Sequence, residues 1–235
     1  AYCTIPRIRG RYISVPIENL VARAKQLASG GAKELILVAQ DTTRYGYDLY
    51  NEYKLIDLLK ELIKIKDIKW IRLHYLYPEL VTDELLKFIS ETPKICPYLD
   101  IPLQHIDDNI LKEMNRRNSE LQARNLIKNI RENYPNLLIR STFIVGFPGE
   151  GRKQFKNLCK FLKEEKLDNV GFFEFSKEES TKAFYMKNQV PQFVKNYRLL
   201  KVQKIQSEIM FENNLKHIGE TEKVLIDSFD PETGY

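Results

Sequence analysis

Short apolar runs of strand length alternate with stretches of helical periodicity about every 30 to 35 residues, from residue 34 to about residue 175. A strand, a helix and a further strand in repeated succession build a parallel sheet or barrel, because a right-handed crossover returns each strand parallel to the last. The strand-like runs are 34–39, 70–75, 98–103, 137–145 and 169–175. Apolar residues at helical spacing mark the crossovers: Leu55, Leu58, Leu59, Leu62 and Ile63, then 110–114 and 120–132, then Phe155, Leu158, Cys159 and Leu162. An earlier helix is marked by Leu20, Val21, Ala24, Leu27 and Ala28, with Pro16 where a helix can start and Gly30-Gly31 to stop it. Thr82 is a good N-cap, followed by Asp83 and Glu84, for a helix through about residue 89. A long amphipathic helix is predicted over about 191–217, with Val194, Tyr197, Val202, Ile205 and Ile209 on one stripe.

A fold of this kind gathers its ligand-binding groups at the C-terminal ends of the strands. Polar clusters fall at those ends: Gln40, Asp41 and Thr42; His74 and Tyr75; Gln104 and His105; Gly146-Phe147-Pro148-Gly149-Glu150. Each has a plain structural explanation: a capped turn at Gln40-Asp41, a satisfied core histidine at His74, a strand-exit turn at Gly146 to Gly149. Their recurrence at one end of successive strands favours a binding rim. The opening stretch is the other candidate. Cys3 follows Tyr2, Pro6 stiffens the exit, and Arg7, Arg9 and Arg11 recur at every second position. A thiolate is an iron ligand, although a lone cysteine near a terminus more often is not. Read as an extended segment, the arginines put three cations on one side, close to whatever that thiolate binds.

A hydrophobic fraction of 43% and a charged fraction of 29% describe an ordinary globular protein, and 235 residues allow one large α/β domain or two small ones. No apolar run approaches the roughly 18 residues of a membrane span, and no signal peptide is visible. The three cysteines, Cys3, Cys96 and Cys159, are distant and odd in number, which excludes a disulfide framework and points to a reducing, cytoplasmic setting. A net charge of +5 permits contact with RNA or a ribosome without requiring it.

The motifs resemble those of the radical S-adenosylmethionine (SAM) methylthiotransferases. Tyr2-Cys3-Thr4-Ile5-Pro6-Arg7-Ile8-Arg9-Gly10 looks like the tail of a Cys-x-x-x-Cys-x-x-Cys cluster loop. Gln40-Asp41-Thr42-Thr43-Arg44-Tyr45-Gly46, Ile71-Arg72-Leu73-His74-Tyr75-Leu76-Tyr77-Pro78, Pro102-Leu103-Gln104-His105, Met114-Asn115-Arg116-Arg117 and Phe143-Ile144-Val145-Gly146-Phe147-Pro148-Gly149-Glu150 are similar to the branch that modifies a ribosomal protein rather than tRNA.

The resemblance implies an open (β/α)6-type partial TIM barrel over residues 1–218, its first strand missing, followed over 219–235 by the start of a β-barrel TRAM domain. In that reading 222–229 is a strand running into a turn at 230–234. The implied reaction adds a methylthio group to the β-carbon of an aspartate in small-subunit ribosomal protein twelve. The implied cofactors are SAM and two [4Fe–4S] clusters, the second held by an N-terminal domain outside the chain, with an external electron donor and possible RNA contact through the TRAM domain. Carried over residue by residue, Cys3 is the third cysteine of the first cluster and Tyr2 lies near the adenine. Gln40 and Asp41 meet the SAM amino group, Gln104 the ribose, and the backbone of Val145 and Gly146 the adenine, where a glycine allows close approach. Arg7, Arg9 and Arg11 are candidates for the substrate carboxylate. Two cluster cysteines would precede Ala1, so the 235 residues alone are expected not to assemble the cluster. Gly151-Arg152 departs from the family's usual Thr-Glu and predicts a weakened helix start, by ~1 kcal/mol. A tRNA-modifying methylthiotransferase and a non-catalytic ribosome- or RNA-binding barrel are the alternatives.

Overall fold

The computed structural model describes residues 2–226, 228 and 230–232. In chain order the elements are α1 (Ile5–Arg9), α2 (Ile17–Ser29), β1 (Glu34–Leu37), α3 (Tyr47–Tyr50), α4 (Leu55–Leu62), β2 (Trp70–Leu73), α5 (Asp83–Glu91), β3 (Tyr98–Asp100), α6 (Asp108–Glu113), α7 (Glu120–Asn133), β4 (Leu138–Val145), α8 (Arg152–Glu165), β5 (Asn169–Glu174) and α9 (Gln192–Asn214). Short 3-10 turns cover Pro78–Leu80, Lys182–Tyr185 and Leu215–His217.

Every strand pairing is parallel: β1 with β2, and β3 with β4 with β5. The two groups meet where the Ile71 amide donates to the Lys94 carbonyl and the Cys96 amide donates to Ile71. The strand order is therefore sequential, as a partial barrel requires and a doubly wound sheet does not. β4 carries the longest ladder, and Ile139, Phe143 and Val145 on it are buried. Leu59, Ile71, Leu86, Leu99, Phe143, Leu158 and Phe161 belong to the main core, each inaccessible to solvent.

The caps read from sequence hold the helix starts. Thr82 Oγ1 accepts from the Leu85 amide at 3.2 Å, and Ser119 and Gln122 form a reciprocal capping box at α7. At α8, Gly151 has no side chain to cap the first turn, and only Gln154 reaches back, its Oε1 accepting from the Gly151 amide at 3.2 Å.

Several expectations change. The opening segment is helical over Ile5–Arg9, not extended: Pro6 falls in the first turn, where its missing N–H is not needed. Arg7 and Arg9 therefore lie roughly 200° apart around that helix rather than on one side. Arg11 lies beyond Gly10, whose φ of 76° ends it. The run 34–39 is buried on one face only; Leu35 is buried while Ile36 and Val38 are 52% and 64% exposed. α9 also turns a different face inward. Tyr197 is 60% exposed, whereas Lys195, Arg198, Val202, Ile205, Gln206 and Ile209 are buried. Charged groups enter that face because fixed acceptors await them, as described below.

Residues 221–226 form no strand, and no closed β-barrel or TRAM-like sheet occurs among the described residues. A strand needs a neighbour to satisfy its backbone, and none is present there. Pro231 and Glu232 do turn, with the Glu232 amide donating to Asp230 Oδ1 at 2.9 Å. Ala1, Phe229, Thr233 and Gly234 lie outside the described residues. No described helix is long and apolar enough to cross a membrane.

Candidate functional site

The loops that follow the C-terminal ends of the strands form one polar rim, and the opening segment reaches it. Tyr2 packs edge-on against Phe147, at 6.3 Å between ring centroids, and Phe147 packs in turn on Phe175 at 5.2 Å. Ile110, Met114 and Ala183 complete this second, small apolar cluster, which fastens the residue before Cys3 to the loop after β4. The Cys3 side chain is exposed.

After β1, Asp41 Oδ1 accepts from the Thr43 hydroxyl and from the Arg44 amide. Burial pushes the Asp41 carboxyl above its ordinary value, against those two hydrogen bonds. The Tyr12 hydroxyl donates to the Asp41 carbonyl at 3.1 Å, and the Tyr77 amide donates to Thr43 Oγ1 at 3.2 Å. Tyr77 lies under the Arg116 guanidinium, 4.6 Å from it, and Arg116 Nη2 donates to the Tyr2 hydroxyl at 3.3 Å. A continuous chain of contacts thus runs from Asp41 through Thr43, Tyr77 and Arg116 to Tyr2.

After β2, Asp100 rather than His74 is the organising group. Its fully buried carboxylate accepts from Arg140 Nη1 at 2.8 Å and from the Tyr75 amide at 3.2 Å, with His74 Nδ1 at 3.5 Å. Tyr75 is held at a φ of 59°, a costly region for a bulky residue, by that amide bond and by its carbonyl accepting from the Thr42 amide at 3.0 Å.

After β4, a buried network fixes the turn. Glu150 Oε2 accepts from the Gly146 amide at 2.8 Å, and Arg198 Nη1 donates to both Glu150 Oε1 and the Glu150 carbonyl at 2.7 Å. His105 Nδ1 accepts from the Asp107 amide at 2.9 Å, which leaves its N–H on Nε2, 3.4 Å from Glu150 Oε2. Lys195 Nζ donates to the Phe175 carbonyl at 2.8 Å, and burial lowers its ammonium below the usual lysine range. Gly146 has a φ of 76°, and a Cβ there would stand 2.5 Å from Lys195 Cγ. Glycine is thus required by the backbone and by the packing of Lys195.

Of the residues singled out in the sequence, Tyr2 and Asp41 are joined through Arg116, and Gly146 lies one residue from Phe147, on which Tyr2 packs. Val145 is fully buried. Gln40 is exposed and Gln104 half-buried at a φ of 70°; Gln104 bonds to β4 through its backbone, and neither amide side chain bonds to a described residue. The guanidiniums of Arg7, Arg9 and Arg11 are exposed on or just after α1 and pair with no described carboxylate. Sequence reasoning missed Lys195 and Arg198, and it quoted Arg116 inside a motif without giving it a role. A signal existed for Arg198, which stands four residues before Val202 and seven before Ile205, in line with the apolar stripe.

Cys96 and Cys159 are elsewhere. Cys96 lies 3.9 Å from Glu34 at the opposite ends of the strands, and Cys159 on α8; burial raises both thiols, so neither is poised as a thiolate ligand. Among the described residues one group of three potential metal ligands exists, the exposed His217, Glu220 and Glu222 beyond α9, far along the chain from Cys3.

Comparison with known proteins agrees with this architecture. The profile of the Radical SAM superfamily matches residues 1–162. Ribosomal protein uS12 methylthiotransferase RimO of Alkaliphilus oremlandii is 48% identical over 227 residues, covering 97% of this chain and 52% of that protein. The protein of the same name from Elusimicrobium minutum is 49% identical over 228 residues, covering 97% of the chain and 53% of its own length. The chain thus spans about half the length of the curated relatives it matches. Among solved structures, coproporphyrinogen III oxidase (HemN) from Escherichia coli, a radical SAM enzyme, superposes with a TM-score of 0.59 at 15% identity, over 84% of this chain and 46% of that one. Streptococcus suis SuiB bound to S-adenosylmethionine gives 0.55 at 16% identity over 88% and 43%. These two likenesses speak to the fold.

Proposed function

The chain belongs to the radical SAM superfamily, and from that premise we propose that it is the SAM-binding barrel of a methylthiotransferase acting on an aspartate of ribosomal protein uS12. The observation that carries the proposal is the identity of 45–49% to uS12 methylthiotransferases over nearly the whole chain. The rim geometry supports it by tying the Cys3 segment to the loops after β1 and β4.

A [4Fe–4S] cluster and SAM, when bound, supply the radical chemistry, and the reading assigns this chain's residues to holding them. Cys3 would hold one corner of the cluster. It suits that role in being exposed at the rim beside an anchored aromatic, while the other two thiolates must come from sequence outside the chain. Gln40 and Asp41 would receive the SAM amino group, and the free amide of Gln104 the ribose. The backbone of Val145 and Gly146 would border the adenine, with Tyr2 beside it. The Arg198–Glu150–Gly146 network would keep that backbone rigid, so that binding costs little reorganisation. Arg7, Arg9 and Arg11 would offer cations to the substrate from the cluster segment, Arg7 and Arg9 from different sides of α1. A second cluster and a TRAM domain that contacts RNA belong, in this reading, to the rest of the full-length protein, which also needs an electron donor.

The test uses full-length protein with its clusters reconstituted, reduced and supplied with SAM. Incubation with uS12 and with tRNA separately, followed by mass spectrometry, should show an added methylthio group on uS12 alone. Modification of tRNA with none on uS12 would overturn the substrate assignment, and modification of neither, with SAM left intact, the enzymatic one.

A further inference from the structure

We propose that the cleft bordered by Arg44, Arg116 and Arg117 receives a side-chain carboxylate of the protein substrate and selects against RNA; this deepens the reading above and rests on it. The cleft is a cavity of about 340 Å³ at the rim, at the small end of ligand pockets. Three loops build it. The loop after β1 gives Asp41 and Arg44, the loop after β2 gives Tyr77 and Glu79, and the connection from α6 to α7 gives Arg116 and Arg117.

The arginines here are unlike the other enclosed arginines of the protein. Arg72, Arg140 and Arg198 each hold a carboxylate oxygen within 2.8 Å. Arg116 is half-buried and its guanidinium holds none; Nη2 donates to the neutral Tyr2 hydroxyl at 3.3 Å, and its plane covers the Tyr77 ring. A guanidinium has five N–H donors, and one weak bond leaves most of the fork unused. Arg44 and Arg117 likewise pair with no described carboxylate. Arg44 stands 6.0 Å from the centroids of the Tyr12 and Tyr47 rings, and the Arg117 side chain is exposed. A planar fork seated on an aromatic ring, with its donors free, matches a carboxylate in two-point contact.

The cleft also carries its own limit. Asp41 and Glu79 line it without forming an ion pair with these arginines. With Asp41 given to the SAM amino group, the three guanidiniums face Glu79, and a run of phosphates would meet that acid at close range. Because Arg116 touches Tyr2, the carboxylate would be held beside Cys3. That places the recognising arginines on the α6–α7 connection and the β1 loop, in addition to the Arg7, Arg9 and Arg11 segment.

The experiment uses full-length, cluster-loaded enzyme and a fluorescent synthetic peptide spanning the modified aspartate of uS12, with its Asp→Asn counterpart. Wild-type enzyme should bind the aspartate peptide roughly ten-fold tighter, the scale of one charge-assisted contact. Arg116→Lys, which keeps the charge but loses the fork, and Arg117→Gln, at an exposed site with no partner to lose, should each remove most of that preference. The dissociation constant of Arg117→Gln for SAM should stay within about two-fold, and a single-stranded RNA should not displace the peptide from the wild-type enzyme. Retention of the preference by both variants overturns the proposal, as does a loss of SAM affinity in its place or displacement by the RNA. An enzyme that modifies uS12 while its variants keep the preference defeats this inference alone, whereas one that modifies tRNA instead defeats the function on which it rests.

Discussion

Lys195 and Arg198 carry their charges into the interior of the protein, and each does so towards a fixed acceptor. Removing one member of the Arg198–Glu150 pair strands the other, a loss on the order of 3 kcal/mol for buried pairs. Arg198→Met should therefore lower the urea midpoint strongly, and adding Glu150→Gln should restore part of the loss; equal losses in the single and double variants would show that the pair is not coupled. Lys195 reports through pH. Between its lowered value and the ordinary 10.5, the unfolded chain holds a proton that the folded protein has shed, so this residue makes stability rise with pH across that window. Below the window the folded protein bears the full cost of the buried charge. Lys195→Met should flatten the rise in unfolding free energy as pH approaches 10.5 from below, and an unchanged slope would refute the assignment. Among the cysteines, Cys3→Ala in the full-length protein should abolish SAM cleavage, while Cys159→Ala should retain it at a stability cost of about 1 kcal/mol; equal loss in both would overturn the division. Polar ends of strands were legible one residue at a time, as at Asp41 and Gln104. Buried cations were not, because a lysine or arginine in a helical stretch reads as surface until its acceptor is known.

Elements were legible where capping chemistry marked them. Thr82 and Gly30 gave the limits of their helices directly, and α8 was placed by Phe155, Leu158 and Leu162. The failures share one cause: local pattern was consistent with two conformations and a distant contact decided between them. Alternating arginines suit an extended segment, yet Pro6 also suits a first helical turn. The stripe on α9 was drawn through Tyr197, whereas the buried face runs through Lys195 and Arg198. The weak start of α8 gives a test at this scale. Gly151 has extended backbone angles that any residue adopts, and the nearest atom to a new Cβ is the movable Gln154 Oε1 at 3.0 Å. Gly151→Ser with Arg152→Glu should supply a cap and an acid to the positive helix end and stabilise the protein by about 1 kcal/mol. A thermal midpoint unchanged or lowered in that double variant would contradict the account of the helix start.

At the scale of the molecule, the sequential parallel order of β1 to β5 was readable from the alternation of strand and helix, since right-handed crossovers leave few other arrangements. The polar residues collected at one end of that order, as the fold demands. What the alternation did not reveal is that Asp100, within β3, organises the rim around Tyr75, or that the C-terminal stretch finds no strand partner here. In the proposed function this barrel presents SAM chemistry to an aspartate of uS12. Its most direct test is uS12 deuterated at the β-carbon of that aspartate, given to the reduced full-length enzyme with SAM. Deuterium is expected in the 5′-deoxyadenosine released, with a methylthio group on the same residue. Deuterium retained wholly in uS12, with 5′-deoxyadenosine formed and no methylthio group on the protein, would contradict it.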